Sequence, residues 1–277
     1  MPRSFAGAPA FLLLCSCGTT YQLPEPTAAD LQLAAGTISA EEQAPVSRST
    51  SGQLGSFERI RARVEPAAEA YCQEHIQRKA TCDFRIEISS EAAAPPNAFQ
   101  HYEDSRPVVT FTPSMLAMAR NEDEVAFIMG HEVGHHMGAH ISKQQQQTAV
   151  GAVIAGSLMA LAGAYDPYTP SYVKEQDIEN AMYAGAAVGG MAFSQTFELE
   201  SDMIGARIAT AAGYDPVKGS RVFARRMDAR NRDGALSFWG THPPSERRIA
   251  IVSATVRAIE EGQELEVRPV RQNQPKD

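Results

Sequence analysis

The chain has 277 residues, 43% of them hydrophobic, which suits one sizeable domain and is too apolar for a disordered chain. With 25 basic residues against 33 acidic ones the net charge is −8, and no basic run stands out. An acidic surface is repelled by phosphates, so nucleic acid is excluded as an expected partner.

The first residues read as an export leader. Arg3 gives a small positive region and "AFLLLCS" a short apolar one, too short to span a bilayer. The run ends in "LCSC", where Leu14 and Ser16 before Cys17 resemble a bacterial lipobox, with Cys15 an unusual member. On this reading cleavage leaves Cys17 as a lipidated N-terminus, and Gly18 after it favours the outer membrane. A plain secretory signal is the alternative. Residues 18 to 55, rich in Pro, Ala, Ser, Thr and Gly, read as a tether. Cys72 and Cys82 are an even pair in an exported chain, spaced too widely for a zinc knuckle, and are expected to form a disulfide.

From Phe57 a helical pattern begins: Ile60, Val64, Ala67 and Tyr71 recur on one side, with a kink expected at Pro66. "FRIEIS" alternates as a half-buried strand, and "NAFQHY" and "PVVTFT" read as two more, together a small antiparallel meander. "RNEDEVAFIMGHEVGHHMGAHI" reads as a long helix. Asn121 is a good N-cap, Glu124 suits a capping box, and Glu122, Asp123 and Glu124 suit the positive end of the dipole. Apolar residues then surround it, so the helix and its histidines are expected inside the fold. The apolar, Ala- and Gly-rich run 148–164 is expected as a tightly packed soluble helix, with a membrane span as the alternative. "AYDPYTPSYVKEQD" reads as a lid-like loop, followed by helices near 180–212 and 216–230 and a last helix beginning at "SERRIAI".

The central helix carries His131, Glu132 and His135 as H-E-x-x-H. Residues four apart are offset by only about 40° around a helix, so both imidazoles can converge on one tetrahedral ion. Glu132 lies about 100° round from His131, close enough to reach a water on the metal but not to bind it, as a general base requires. His136 and His140 repeat the spacing without a glutamate, and core packing is their simpler role. One zinc protease class places a third histidine six residues on, after a glycine. Here Gly138 fits but Ile141 stands in the ligand position, which rejects that class. "FELESDMIGARIA" offers another solution. Glu198 and Asp202 share a helical face that continues through Gly205 and Ala209, small enough to lie against Gly134 and Gly138. Glu198 can then be the third ligand and Asp202 can fix a histidine tautomer. Glu200 points the opposite way, toward solvent or a surface partner. His, His, Glu ligation suits Zn²⁺, one per chain.

"HEVGH", "ELESD" some sixty residues later and "THPPSERRI" together resemble the gluzincin metallopeptidases that include HtpX and the CAAX prenyl proteases. Ser201 departs mildly from the family's E-x-x-A-D. "NAF" before a strand and "AAGYDP" resemble its short periplasmic lipoprotein branch. The likeness runs from about Phe57 to Glu261. It implies zinc, endopeptidase activity and damaged or misassembled envelope proteins as substrates. From the motif around it, His242 is assigned to oxyanion stabilisation, with Arg248 orienting it or binding substrate. The alternatives are that His242 plugs the site as a fourth ligand, or that the His-Pro turn only caps the helix and Arg248 lies at the surface. Asn97, Ala98 and Phe99 form an edge that would take substrate as an added strand.

The expectation is a mostly helical α+β zincin-like domain, with a small antiparallel sheet packed on the H-E-x-x-H helix. A signal peptide covers 1–16, a tether 17–55, the metallopeptidase domain 56–265 and a polar tail 266–277. The competing class is a non-catalytic envelope chaperone or scaffold on the same fold.

Overall fold

The computed structural model describes residues 19–41, 53–76, 82–166, 168–191, 194–225, 227–231 and 234–268. The signal peptide and Cys17 lie outside them. The fold is mostly helical with one three-stranded sheet, in the α+β class expected. After α1 (Ala28–Glu41) and α2 (Gln53–His75) come β1 (Arg85–Ile88), β2 (Ala98–Glu103) and β3 (Arg106–Phe111). A short α3 (Pro113–Met118) leads into α4 (Glu122–Met137), which carries H-E-x-x-H. Then follow α5 (His140–Ala164), α6 (Ser171–Met191), α7 (Ser194–Ala211), α8 (Pro216–Gly219), α9 (Phe238–Thr241) and α10 (Glu246–Glu260).

The strand order is β1-β3-β2. β2 and β3 form an antiparallel hairpin whose two-residue turn, Asp104 and Ser105, has positive φ at both positions, the twist such turns require. β1 pairs with β3 in parallel, so the sheet is mixed and not the antiparallel meander expected. The chain crosses to the far edge after β1 because "PVVTF" is apolar on both faces. Val108, Val109 and Phe111 are all buried, as in a central strand.

α4 is buried from Glu124 to Met137 and forms the spine of the core. The Asn121 side chain accepts from the Glu124 N–H at 2.9 Å, and Glu124 reaches back to the Arg120 N–H at 2.7 Å. The buried Arg225 closes this end by pairing with Glu124. Against α4 lies α7, unusually close. A Cβ on Gly130 would stand 2.9 Å from the Gly205 carbonyl oxygen, one on Gly134 2.9 Å from Ser201 Cα, and one on Gly205 2.8 Å from the His131 nitrogen. The small face expected on α7 is therefore used, but through Gly130 and Gly134. Gly138 instead faces the His140 ring.

Four other expectations change. Within 17–55, α1 packs on α10, with Ala34 fully buried, and Tyr21 pairs with Val267 at the start of the expected tail. Helix α5 is long and apolar enough to cross a membrane but is not tightly packed: Val153, Leu158 and Leu161 are about 60% exposed, at 62%, 64% and 58%. Its small residues turn inward onto α6, so its large ones face out. The Tyr- and Pro-rich segment is a short connection, because α6 begins at Ser171. The 216–230 segment is α8 followed by a 3-10 turn at Ser220–Ala224. Cys72 and Cys82 are joined in a disulfide, their Cα atoms 5.7 Å apart.

The α4–α7 contact leaves no room for one added methyl. Gly205→Ala should cost about 1–3 kcal/mol of stability in denaturant unfolding. An unchanged midpoint would mean the helices stand further apart.

Candidate active site

One turn of α4 brings His131 and His135 to the same side, their Nε2 atoms 3.1 Å apart. The close approach of α7 sets Glu198 beneath both, with Oε2 3.5 Å from His131 Nε2 and Oε1 3.4 Å from His135 Nε2. His242 enters from the other side as the C-cap of α9. Its Nδ1 lies 2.9 Å from Glu198 Oε2 and 3.3 Å from His131 Nε2. One donor atom from each of His131, His135, Glu198 and His242 falls within 4.8 Å of the others, all buried. Three imidazole nitrogens and a carboxylate oxygen at such spacing are the donor types a borderline divalent ion takes.

Glu132 sits at the rim of this cluster and is fully buried. Apart from His242 Nε2 at 3.4 Å from Oε1, its carboxylate has no hydrogen-bond partner among the described residues. Burial raises its pKa above the ordinary carboxylate value, against the opposing pull of His242 and His131. A buried carboxylate without partners is costly unless something else uses it. A water held beside the cluster by a metal would give this carboxylate the partner it lacks, so the residues present fit a zinc site.

Asp202, one turn after Glu198, lies 2.9 Å from His131 Nδ1. Arg248 grips Asp202 in a two-pronged contact, Nε and one terminal nitrogen each at 2.7 Å, and reaches Glu198 at 3.0 Å. Its guanidinium stacks on Phe223, 3.3 Å from the ring centre. Arg248 was expected to orient His242 or bind substrate. It is 2% exposed; its short contacts go to the two carboxylates, and it also reaches the Pro243 carbonyl, next to His242, at 3.4 Å. Burial alone would raise the pKa of both acids. The charges of Arg248 and, at Glu198, of His242 outweigh it and hold both below their ordinary values. Burial would also lower His131, but Asp202 and Glu198 lift it to about 9. His135 lacks a second carboxylate, and burial drives it to about 4.

The two other histidines of the stretch do not converge. His136 Nε2 meets the Val108 carbonyl oxygen at 3.0 Å and ties α4 to the sheet, a core role as expected. His140 is buried against His135 and Glu200. Glu200 corrects its expected place: it is fully buried, not solvent-facing, because the segment around Tyr21 covers it. Nothing in the helical periodicity of α7 signals that cover. The candidate substrate edge is β2, which among the described residues pairs only with β3. There Ala98 is buried and Phe99 exposed, and Asn97 donates its N–H to Thr112 Oγ1 at 2.9 Å.

Residues 56–256 match the model of peptidase family M48. The chain is 27% identical over 175 residues to the mitochondrial metalloendopeptidase OMA1 of Saccharomyces cerevisiae, covering 61% of this chain and 46% of the relative. It is 26% identical over 192 residues to a protease HtpX homolog of Methanopyrus kandleri, covering 60% and 58%. Against the beta-barrel assembly-enhancing protease of Escherichia coli it is 27% identical over 162 residues, covering 56% and 31%. The chain thus spans about half or less of most of these relatives. The match to the family model covers His131, Glu132, His135, Glu198, Asp202, His242 and Arg248, and the chain belongs to peptidase family M48.

Proposed function

We propose that this chain is a zinc-dependent endopeptidase of the bacterial envelope. The observation that carries the reading is the buried cluster of His131, His135 and Glu198 with the unpartnered Glu132 carboxylate beside it. The three would hold zinc, which when bound supplies Lewis-acid polarisation and acidifies the attacking water. Glu132 would act as the general base and acid, taking a proton from the attacking water and returning it to the leaving amine. Asp202 holds His131 in the tautomer that leaves Nε2 free for metal, and Arg248 keeps Asp202 and Glu198 charged. A non-catalytic scaffold would gain nothing from a buried, unpartnered glutamate at this position.

His242 had two candidate roles. Its Nδ1 among the ligand atoms favours the closed one, in which it takes the position the attacking water needs and leaves when substrate arrives. Pro243 and Pro244 stiffen the connection to α10, and Phe238 packs on the ring at 4.8 Å, so release means moving a short, defined turn.

The substrates we infer are unfolded or misassembled envelope proteins. β2 supports this, since an open edge recognises main chain and tolerates any sequence. The export-like leader and the likeness to a protease named for beta-barrel assembly point to the same compartment. The inferred location is the periplasmic side of the outer membrane, anchored by lipid on Cys17.

Three outcomes follow. Glu132→Gln should keep stoichiometric zinc and lose roughly 10²- to 10⁴-fold in cleavage of an unfolded protein such as casein. Undiminished turnover in a metal-replete sample rejects the mechanism. His242→Ala should raise basal cleavage and loosen zinc. A loss of kcat of about a hundredfold with zinc unchanged would return His242 to the oxyanion role. Cys17→Ser should abolish labelling with a fatty-acid probe and move the protein to the soluble envelope fraction; unchanged labelling places the anchor elsewhere.

A further inference from the structure

The two candidate ligand histidines are backed by different partners. His131 has Asp202. His135 has no carboxylate at its far nitrogen; its Nδ1 faces His140 Nδ1 at 3.0 Å. His140 Nε2 lies 2.7 Å from Glu200 Oε2, and Glu200 Oε1 accepts from the Tyr21 N–H at 2.6 Å. All four residues are at least 95% buried.

Two ring nitrogens that face each other need one proton between them. Two N–H groups would collide, and two lone pairs would repel. If His135 binds metal through Nε2, its proton sits on Nδ1 and points at His140. His140 Nδ1 must then accept, which places the His140 proton on Nε2, where it donates to Glu200. The carboxylate accepts there and again from Tyr21. Every proton in the row is assigned with none missing and none in conflict. The reverse order would put the His135 proton on Nε2 and block the metal. A metal-binding imidazole is neutral, and His140 Nδ1, facing the His135 N–H, must keep its lone pair, so each ring has a single proton to place.

The local chain is shaped around His140. Ala139 adopts a left-handed conformation, φ 54°, which turns the backbone sharply between α4 and α5. Gly138 leaves space that a Cβ would take from the His140 ring. Phe197 stacks on that ring at 4.4 Å and 13°. Ser201 Oγ, the departure from the family pattern, lies 3.2 Å from His140 Nδ1. The Tyr21 end is also pinned. Thr20 Oγ1 donates to the Gly138 carbonyl at 3.3 Å and accepts from Lys143 at 2.7 Å, while the Gln22 N–H donates to the Glu266 carbonyl and the Arg268 N–H to the Thr20 carbonyl.

We propose that His140 and Glu200 are positioning residues that set the His135 tautomer for metal binding, and that the Thr19–Gln22 segment is the outer end of this relay. The chain immediately after the candidate lipid anchor is thereby part of the active-site support. The inference rests on His135 being a metal ligand.

The test is nitrogen-15 NMR of the imidazole rings in the full-length protein, with and without zinc, paired with zinc affinity from chelator competition. Zinc-loaded wild type should show Nδ1–H on His135 and Nε2–H on His140. His140→Ala should weaken zinc roughly 10–100-fold. His140→Asn, whose Oδ1 can accept in place of Nδ1, should recover most of that loss. Glu200→Gln should shift the Tyr21 amide resonance, because one of the two bonds to that side chain is lost. Nδ1–H on His140, or zinc affinity unchanged in a folded His140→Ala, overturns the relay. Should the Ala variant not fold, the wild-type tautomers and the Asn variant decide. If zinc leaves the His135 resonances unmoved, the metal-site reading itself fails, and the relay with it.

Discussion

The site depends on how closely α7 lies against α4. Helices with ordinary side chains at their contact stand 8–10 Å apart, depending on what lies between. Here Gly130, Gly134 and Gly205 remove those side chains, and a Cβ at Gly205 would meet the His131 backbone itself. Only at such separation do Glu198 and Asp202, one turn apart on α7, reach the imidazoles of His131 and His135, one turn apart on α4. The pairing is between two four-residue repeats, and glycine sets the distance at which they mesh.

Closeness creates an electrostatic problem. It buries two carboxylates and two imidazoles in one place, and a buried charge without a partner is strongly destabilising. Arg248 resolves it from α10. It binds Asp202 with two nitrogens, Glu198 with a third, and rests its face on Phe223. Both carboxylates stay ionised, which is the state a ligand and a histidine-orienting group need. A lysine would supply the charge but not the planar, forked geometry. At the N-terminal end of α4 the buried Arg225 pairs with Glu124, although burial there still holds the carboxyl above its ordinary value.

Much of this was legible from residues. H-E-x-x-H and Glu198 with Asp202 follow from the 3.6-residue period, because each pair shares a face of its own helix. The unbroken apolar surround of α4 announced its burial. What escaped were contacts between segments far apart in the chain. Glu200 faces away from Glu198 on α7, and periodicity alone makes that the solvent side. It is buried because Tyr21, 179 residues earlier, covers it. The stretch that continues into α1 was read as a tether because it holds few large apolar residues; Ala34 and Ile38 are enough to seat α1 on α10, while Leu31 and Leu33 stay exposed. The parallel pairing of β1 escaped because adjacency in sequence suggested a meander, while the central place goes to the strand apolar on both faces. Helix α5 escaped in the opposite sense: its apolar composition suggested burial, yet its large side chains face outward.

The central claim is that one zinc ion sits between α4 and α7. Crystals of the zinc-loaded protein, measured on both sides of the zinc absorption edge, test it most directly. The account predicts a single anomalous peak at about 2.0–2.2 Å from His131 Nε2, His135 Nε2 and a Glu198 oxygen, with His242 Nδ1 as the fourth neighbour. A peak ligated by His136 or His140, or one that lacks Glu198, would contradict it.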